Sequence, residues 1–165
     1  MNEKAQHGWE SNFVDFKNSD PKMICVKLEE SVDNVSESQR RTWNADVPVL
    51  QDEVSEILDG CPTASQFSSI LEYVLPMEFR RPDVIFLING AVVVIELKGK
   101  QAPSQADIDQ VSAYARDLRC YHKHCQNVPV HAVLVPTRAN GYIGNECGVT
   151  ILGPDAIDDF IKRLE

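Results

Sequence analysis

The chain is 165 residues long, enough for one well-packed domain and short for two. At 43% hydrophobic and 25% charged residues it has an ordinary globular balance, and it contains no run of 18 apolar residues that would read as a membrane span. The formal charge of −9 argues against a simple basic nucleic-acid binder, but the acidity is uneven: residues 1–75 hold 6 Lys and Arg against 14 Asp and Glu, and residues 76–124 hold 7 against 6.

The first 20 residues carry Trp9, Phe13 and Phe16 among polar neighbours, which suggests a short helix packed on the body. Their beginning, Met-Asn-Glu-Lys-Ala-Gln-His, does not read as a secretion signal. Asp20-Pro21 resembles an N-cap followed by proline at the first helical position. Ile24, Leu28 and Val32 recur at four-residue steps and predict a helix over 21–32, although Met23 to Leu28 also fits a strand. A second helix should run from Ser36 to about Leu58, with Trp43, Val47, Leu50, Val54, Ile57 and Leu58 on one stripe. Pro48 should bend or split it, and Asp59-Gly60-Cys61-Pro62 should end it.

Phe67 to Leu75 reads as a strand stopped by Pro76, with Glu72 between Leu71 and Tyr73. Two apolar, β-branched runs then flank Asn89-Gly90, a strong signal for a two-residue hairpin turn. If Ile88 and Ala91 close that turn, Leu87 meets Val92, Ile85 meets Val94, and Asp83 meets Glu96. Like charges facing each other across a strand pair repel. Lys98 shares the Glu96 face because strand side chains alternate. The acids either sit at solvated strand ends paired by Lys98, or they seat a hard divalent cation that neutralises them.

After a loop over Gly99 to Pro103, Ser104 and Asp107 form a capping box that opens a helix to about residue 123. Ile108, Val111, Ala115 and Leu118 share its apolar face, with Gln110 and Tyr114 stacked beside it. Pro129 to Pro136 is a buried strand, Val149 to Leu152 another, and Gly153-Pro154-Asp155 starts a closing helix. Five irregularly spaced cysteines argue against a disulfide framework and for a reducing cytoplasm. The Cys120-Tyr121-His122-Lys123-His124-Cys125 stretch matches no common zinc spacing.

This element order, with Pro82-Asp83 followed by Glu96-Leu97-Lys98, resembles the PD-(D/E)XK nuclease superfamily and its restriction-endonuclease-like fold. Gln110 to Tyr114 is similar to the Q-x-x-x-Y motif of the RecB-like branch. Leu71 to Pro76 ahead of Arg80-Arg81 resembles nuclease-like domains placed before superfamily 1 helicases. The specific likeness covers roughly residues 70–120. It implies an α/β fold, a mixed sheet flanked by helices in an αβββαβ core with an extra strand and a C-terminal helix. Residues 1–35 would be an N-terminal helical extension and 36–165 the nuclease-like domain, one compact unit overall.

The resemblance further implies hydrolysis of DNA phosphodiesters with Mg²⁺ or Mn²⁺, RNA being left open. Asp83, Glu96 and the Leu97 carbonyl would hold the ion, with Glu72 as an additional acid. Lys98 would orient water or stabilise phosphate charge. Gln110 and Tyr114 would contact the phosphate backbone and fix Lys98. Arg80, Arg81 and Lys100 would bind nucleic acid. A helicase domain in cis or in trans and a homodimer are partners of the same kind. Related domains often carry a glutamate four residues before a tryptophan on the first core helix, a position held here by Gln39, before Trp43. That departure keeps a second reading open: a nuclease-fold module that binds nucleic acid or a partner protein without much cleavage.

Overall fold

The computed structural model describes residues 7–75 and 81–164. In chain order its elements are β1 (Trp9–Asn12), α1 (Phe13–Asn18), α2 (Pro21–Ser31), α3 (Glu37–Gly60), β2 (Ser68–Leu71), β3 (Val84–Ile88), β4 (Ala91–Lys98), α4 (Gln105–Tyr121), β5 (Val130–Pro136), β6 (Ile143–Glu146), β7 (Val149–Leu152) and α5 (Ile157–Arg163). Seven strands make one mixed sheet in the order β1-β2-β3-β4-β5-β7-β6. The fold is α/β. No helix among the described residues is long and apolar enough to cross a membrane.

The sheet is covered on both faces, which is why β4 reads as an almost continuous apolar run. Val84, Phe86, Val93, Ile95, Leu97, Val133 and Val135 belong to a core completed by Phe13, Phe16, Leu28, Val47, Leu50 and Ile57 from the first three helices. Residues of the other parity, among them Ile85, Val92, Val94 and Leu134, pack with Ile108, Val111, Ala115 and Leu118 of α4. Burying each large apolar side chain contributes about 1.5–3 kcal/mol, so the two layers lock the central strands from both sides.

The hairpin register is the one the turn predicts: Ile88 faces Ala91, Leu87 faces Val92 and Val84 faces Ile95. Gly90 takes φ +74°, open to glycine and costly for other residues. From β4 the chain crosses through α4 to β5, which runs parallel to β4 with Lys98 level with Pro136. Both strands therefore release their following loops at one edge of the sheet.

Four local expectations need correction. The segment 1–35 is not wholly helical, because Trp9–Asn12 pairs antiparallel with β2 before α1 begins. Of the two outcomes expected at Pro48, splitting does not occur: the 24 residues of α3 continue through it. Trp43 and Val47 before the proline, and Leu50 and Val54 after it, are all buried, so tertiary packing outweighs one missing backbone bond. The strand expected over Phe67 to Leu75 stops at Leu71, where Glu72 adopts φ +55°. A hairpin, β6–β7, escaped the sequence reading. Its turn is Cys147-Gly148, both at positive φ, and cysteine there is a weak turn signal.

Candidate active site

The acid end of the central hairpin is held by a chain of backbone bonds. Glu72 N–H donates to the Asp83 carbonyl at 3.2 Å, joining the end of β2 to the start of β3. Asp83 N–H donates to Glu96 Oε1 at 2.8 Å, and Leu97 N–H donates to Asp83 Oδ2 at 2.9 Å. Each carboxylate thus commits one oxygen to the opposing strand and keeps the other.

Glu72 is brought in by its left-handed backbone, a conformation that costs a non-glycine residue about 1–3 kcal/mol. Its buried Oε1 accepts the Trp43 Nε1–H at 2.9 Å. Trp43 also places Asp46, three residues further along α3. Asp46, Glu72 and Asp83 line a cavity of about 20 Å³ together with Trp43, Thr42 and Leu97. That is room for a single water-sized species.

Burial raises all four acids. Asp46 is pushed up to about 7 by burial, with the Asp83 charge adding to it. Glu72 also reaches about 7: burial raises it, and the Trp43 bond only partly offsets that. Glu96, 3% exposed, is raised by burial and then by Asp83. Asp83 is raised by burial against the opposing pull of the Leu97 N–H and Lys98. Like-charged carboxyls in a poorly solvated place resist ionising together.

Lys98 is in ion-pair range of Glu96 and of Asp107, its Nζ 3.8 Å from Glu96 Oε2 and 4.0 Å from Asp107 Oδ1. Asp107 belongs to the capping box with Ser104 that opens α4, so the helix start fixes the acid that holds Lys98 from behind. Lys100, expected on nucleic acid, pairs with the same Asp107 at 2.5 Å. Gln110 donates its amide to the Tyr114 hydroxyl at 2.9 Å, and Tyr114 is 2% exposed. Asp107, rather than Gln110, is the α4 residue in ion-pair range of Lys98 among the described residues.

Arg81 is half-buried beside Glu72, with a buried Nη1 that has no hydrogen-bond partner among the described residues. Arg80 lies outside the described residues. Leu97 presents its N–H to Asp83 while its side chain is buried in the core. Sequence reasoning missed Asp46 and Asp107. Asp46 was reachable from the helical spacing, because position 46 shares a face with Trp43; Asp107 had been read only as a cap.

These carboxylates are hard oxygen donors of the kind a divalent ion takes. Three of them line the small cavity, whose other walls include Leu28, Val47, Leu50, Leu71 and Val84, and Glu96 accepts the backbone N–H of one of the three. Among the described residues no three of these acids have oxygens all within 4.8 Å of one another. A second acidic group, Glu53, Glu56 and Asp158, lies where α3 meets α5, and its oxygens are within 4.8 Å of one another. The Cys120 and Cys125 stretch does not converge: Cys120 is exposed and Cys125 is buried.

No family model matches the chain, and no curated protein does. Among solved structures, protein VC1899 from Vibrio cholerae is similar at a TM-score of 0.39 and 21% identity, over 87% of this chain and 41% of that one. The chain thus spans less than half the length of that protein.

Proposed function

We propose that the chain is a divalent-metal-dependent nuclease domain that hydrolyses phosphodiester bonds in DNA, as the resemblance to PD-(D/E)XK nucleases implies. The observation that carries this reading is that Asp46, Glu72 and Asp83 line one small cavity while Glu96 accepts the Asp83 N–H, with Lys98 3.8 Å from Glu96. Asp83 and Glu96 would hold Mg²⁺ or Mn²⁺, with Glu72 and the Leu97 carbonyl as further donors. A bound ion supplies Lewis acidity at a phosphoryl oxygen and a more acidic water.

The chain's own groups do the positioning. Lys98 presents its ammonium beside the carboxylates, where it can orient a water and stabilise charge developing on phosphate. Asp107 holds that ammonium from the helix side. Arg81 Nη1, buried and unpartnered among the described residues, is a donor for a phosphate oxygen. Gln110 braces the Tyr114 hydroxyl on α4. The non-cleaving alternative drew on Gln39, which cannot supply charge. Asp46, about two turns further along the same helix, lines the same small cavity as Asp83, and this favours the enzyme. A helicase partner and dimerisation are further readings of the same resemblance.

The test is incubation with linear, single-stranded and supercoiled DNA, and with RNA, in Mg²⁺ or Mn²⁺. Cleavage that needs the metal and disappears in Lys98→Ala is expected. No cleavage of any substrate, or equal cleavage by Lys98→Ala, would remove the enzyme reading.

A further inference from the structure

A second, larger depression adjoins the acid cavity. It has a volume of about 460 Å³ and is lined by Ser38, Arg41, Thr42, Ala45, Asp46, Gly99, Thr137 and Arg138. Thr42 and Asp46 belong to both, so the groove opens directly onto the carboxylates. Its α3 wall follows from helical spacing: positions 38, 41, 42, 45 and 46 form one stripe, adjacent to the buried Trp43 and Val47 stripe. Its other wall is the pair of loops that leave β4 and β5 at the same level. Thr137 N–H donates to the Lys98 carbonyl at 2.8 Å, and Arg138 N–H to the Lys100 carbonyl at 3.2 Å. Those two bonds tie the Arg138 loop to the loop carrying Lys98. Gly99 faces open space, with nothing within 4 Å of where a Cβ would sit.

The charge in this groove differs from the rest of the chain. Arg40 is occupied by Glu29 and Glu37, both at 2.9 Å. Its neighbour Arg41 and the facing Arg138 make no ion pair among the described residues, and both are exposed. In a chain of formal charge −9, two exposed arginines line one depression that also borders Asp46 of the acid cluster. Ser38, Thr42 and Thr137 line it as well, the Thr42 hydroxyl donating to the Ser38 carbonyl at 3.0 Å and the Thr137 hydroxyl to the Lys98 carbonyl at 3.3 Å. Guanidiniums suit phosphodiester oxygens, and contacts to phosphate position a strand without reading its bases.

We propose that this groove is the track for the phosphodiester backbone of a nucleic-acid strand, with Arg41 and Arg138 gripping the phosphates next to the one presented to Asp83, Glu96 and Lys98. The proposal rests on the nuclease reading for its direction. Its own content is the identity of the phosphate-gripping residues, which fixes the side from which the strand enters.

The experiment measures fluorescence anisotropy of labelled 20-nucleotide DNA and RNA strands of one sequence, with Ca²⁺ in place of Mg²⁺, across a salt series. It compares the wild type with Arg41→Ala, Arg138→Ala, the double variant, and Arg163→Ala as a cation outside the groove. Each single groove variant should weaken binding about tenfold and lower the slope of log affinity against log salt by about 1, and the double variant should lower it by about 2. Arg163→Ala should match the wild type, and Mn²⁺ binding by calorimetry should be unchanged in all of them. Equal loss on DNA and RNA would assign the shared backbone; loss on one alone would still support the groove and name its substrate. If the double variant binds as the wild type does while the wild type cleaves, the groove proposal fails and the nuclease stands. If binding depends on both arginines but no metal supports cleavage, the nuclease reading fails and the groove stands. A wild type that binds neither strand removes both.

Discussion

Two carboxylate clusters draw on α3, and they settle their charge in opposite ways. Glu53, Glu56 and Asp158 resolve it internally. Asp158 N–H donates to Glu53 Oε2 at 2.9 Å, and Lys162 Nζ holds Asp158 Oδ2 at 3.1 Å. Burial pushes Glu53 up to about 8, so it keeps a proton. Burial also pulls Asp158 upward, but the bonds from Lys162, the Asp159 N–H and Glu53 leave it below the usual carboxylate range. At the hairpin, by contrast, all four of Asp46, Glu72, Asp83 and Glu96 are raised, and Lys98 sits nearly 4 Å away with Asp107 pulling from the other side. Closeness of acids alone does not define a cation site. What distinguishes the hairpin group is a shortage of positive charge beside a cavity, where the α3–α5 group carries its own lysine.

The sharpest way to break this contrast is to remove charge from each cluster in turn. Asp83→Asn and Lys98→Ala should each reduce metal-dependent cleavage by about a hundred- to a thousandfold, in the range seen when a preorganised electrostatic group is lost. Glu53→Gln should leave cleavage and Mn²⁺ affinity at the wild-type level. If Mn²⁺ calorimetry showed Glu53→Gln losing the ion and Asp83→Asn keeping it, the two clusters would have been assigned the wrong way round. Glu96→Gln should abolish cleavage while raising the melting temperature. Its amide oxygen can still accept the Asp83 N–H, and the repulsion with Asp83 is gone.

A smaller effect is expected at Trp43→Phe. The ring volume is largely kept, but the buried Glu72 loses its donor. Leaving a buried acceptor unpaired costs about 1–3 kcal/mol, readable as a shift in the urea midpoint. If the hairpin cluster were as self-sufficient as the α3–α5 one, this substitution would be nearly neutral.

How much of this was written in the sequence depended on the range of the interaction. Asn89-Gly90 set the β3–β4 register through a local turn preference as far as Val84 and Ile95, and this brings Asp83, just before β3, within hydrogen-bond range of Glu96. Ser104 and Asp107 announced the start of α4 in the same way. Glu72 was visible as an acid but not as a left-handed residue, because nothing in Leu71-Glu72-Tyr73 signals positive φ; the tertiary bonds from Trp43 and to the Asp83 carbonyl hold it there. Asp46 was hidden for a related reason. Gln39 drew attention by its spacing to Trp43, whereas the register of α3 against the sheet, a long-range property, brings position 46 to the site. The two arginines of the groove lie almost a hundred residues apart, and only the parallel β4–β5 pairing and the packing of α3 bring them to one channel.

The α3–α5 cluster makes a pH-dependent prediction of its own. The folded state holds the Glu53 proton more tightly than the unfolded chain, whose ordinary value is 4.5. Its contribution to stability is therefore full below about pH 4.5 and is lost as pH rises toward about 8. Asp158 works in the opposite sense, contributing above its ordinary value and losing that as pH falls through its lowered one. Glu53→Gln mimics the protonated acid, so it should remove the alkaline decline. Melting temperatures at pH 5 and pH 8.5 should converge relative to the wild type by a few degrees, corresponding to about 1 kcal/mol. A wild type equally stable at both values would mean that Glu53 ionises freely and the cluster is not settled by a proton.

The finest test compares two aspartates that hold lysines from the first turn of a helix: Asp107 with Lys98 and Lys100, and Asp158 with Lys162. Asp107→Asn and Asp158→Asn should each cost about 0.5–1 kcal/mol of stability, through a weakened cap or dipole interaction and a lost ion pair. If Asp107 positions the Lys98 ammonium, Asp107→Asn should also lower kcat several-fold with KM little changed, whereas Asp158→Asn should leave both alone. Lys100→Ala separates the two roles of Asp107, because it removes one competing cation while leaving the Asp107–Lys98 contact in place. Its kcat should stay at or above the wild-type value. A fall in kcat equal to that of Asp107→Asn would place the positioning role in Lys100 and not in the contact between Asp107 and Lys98.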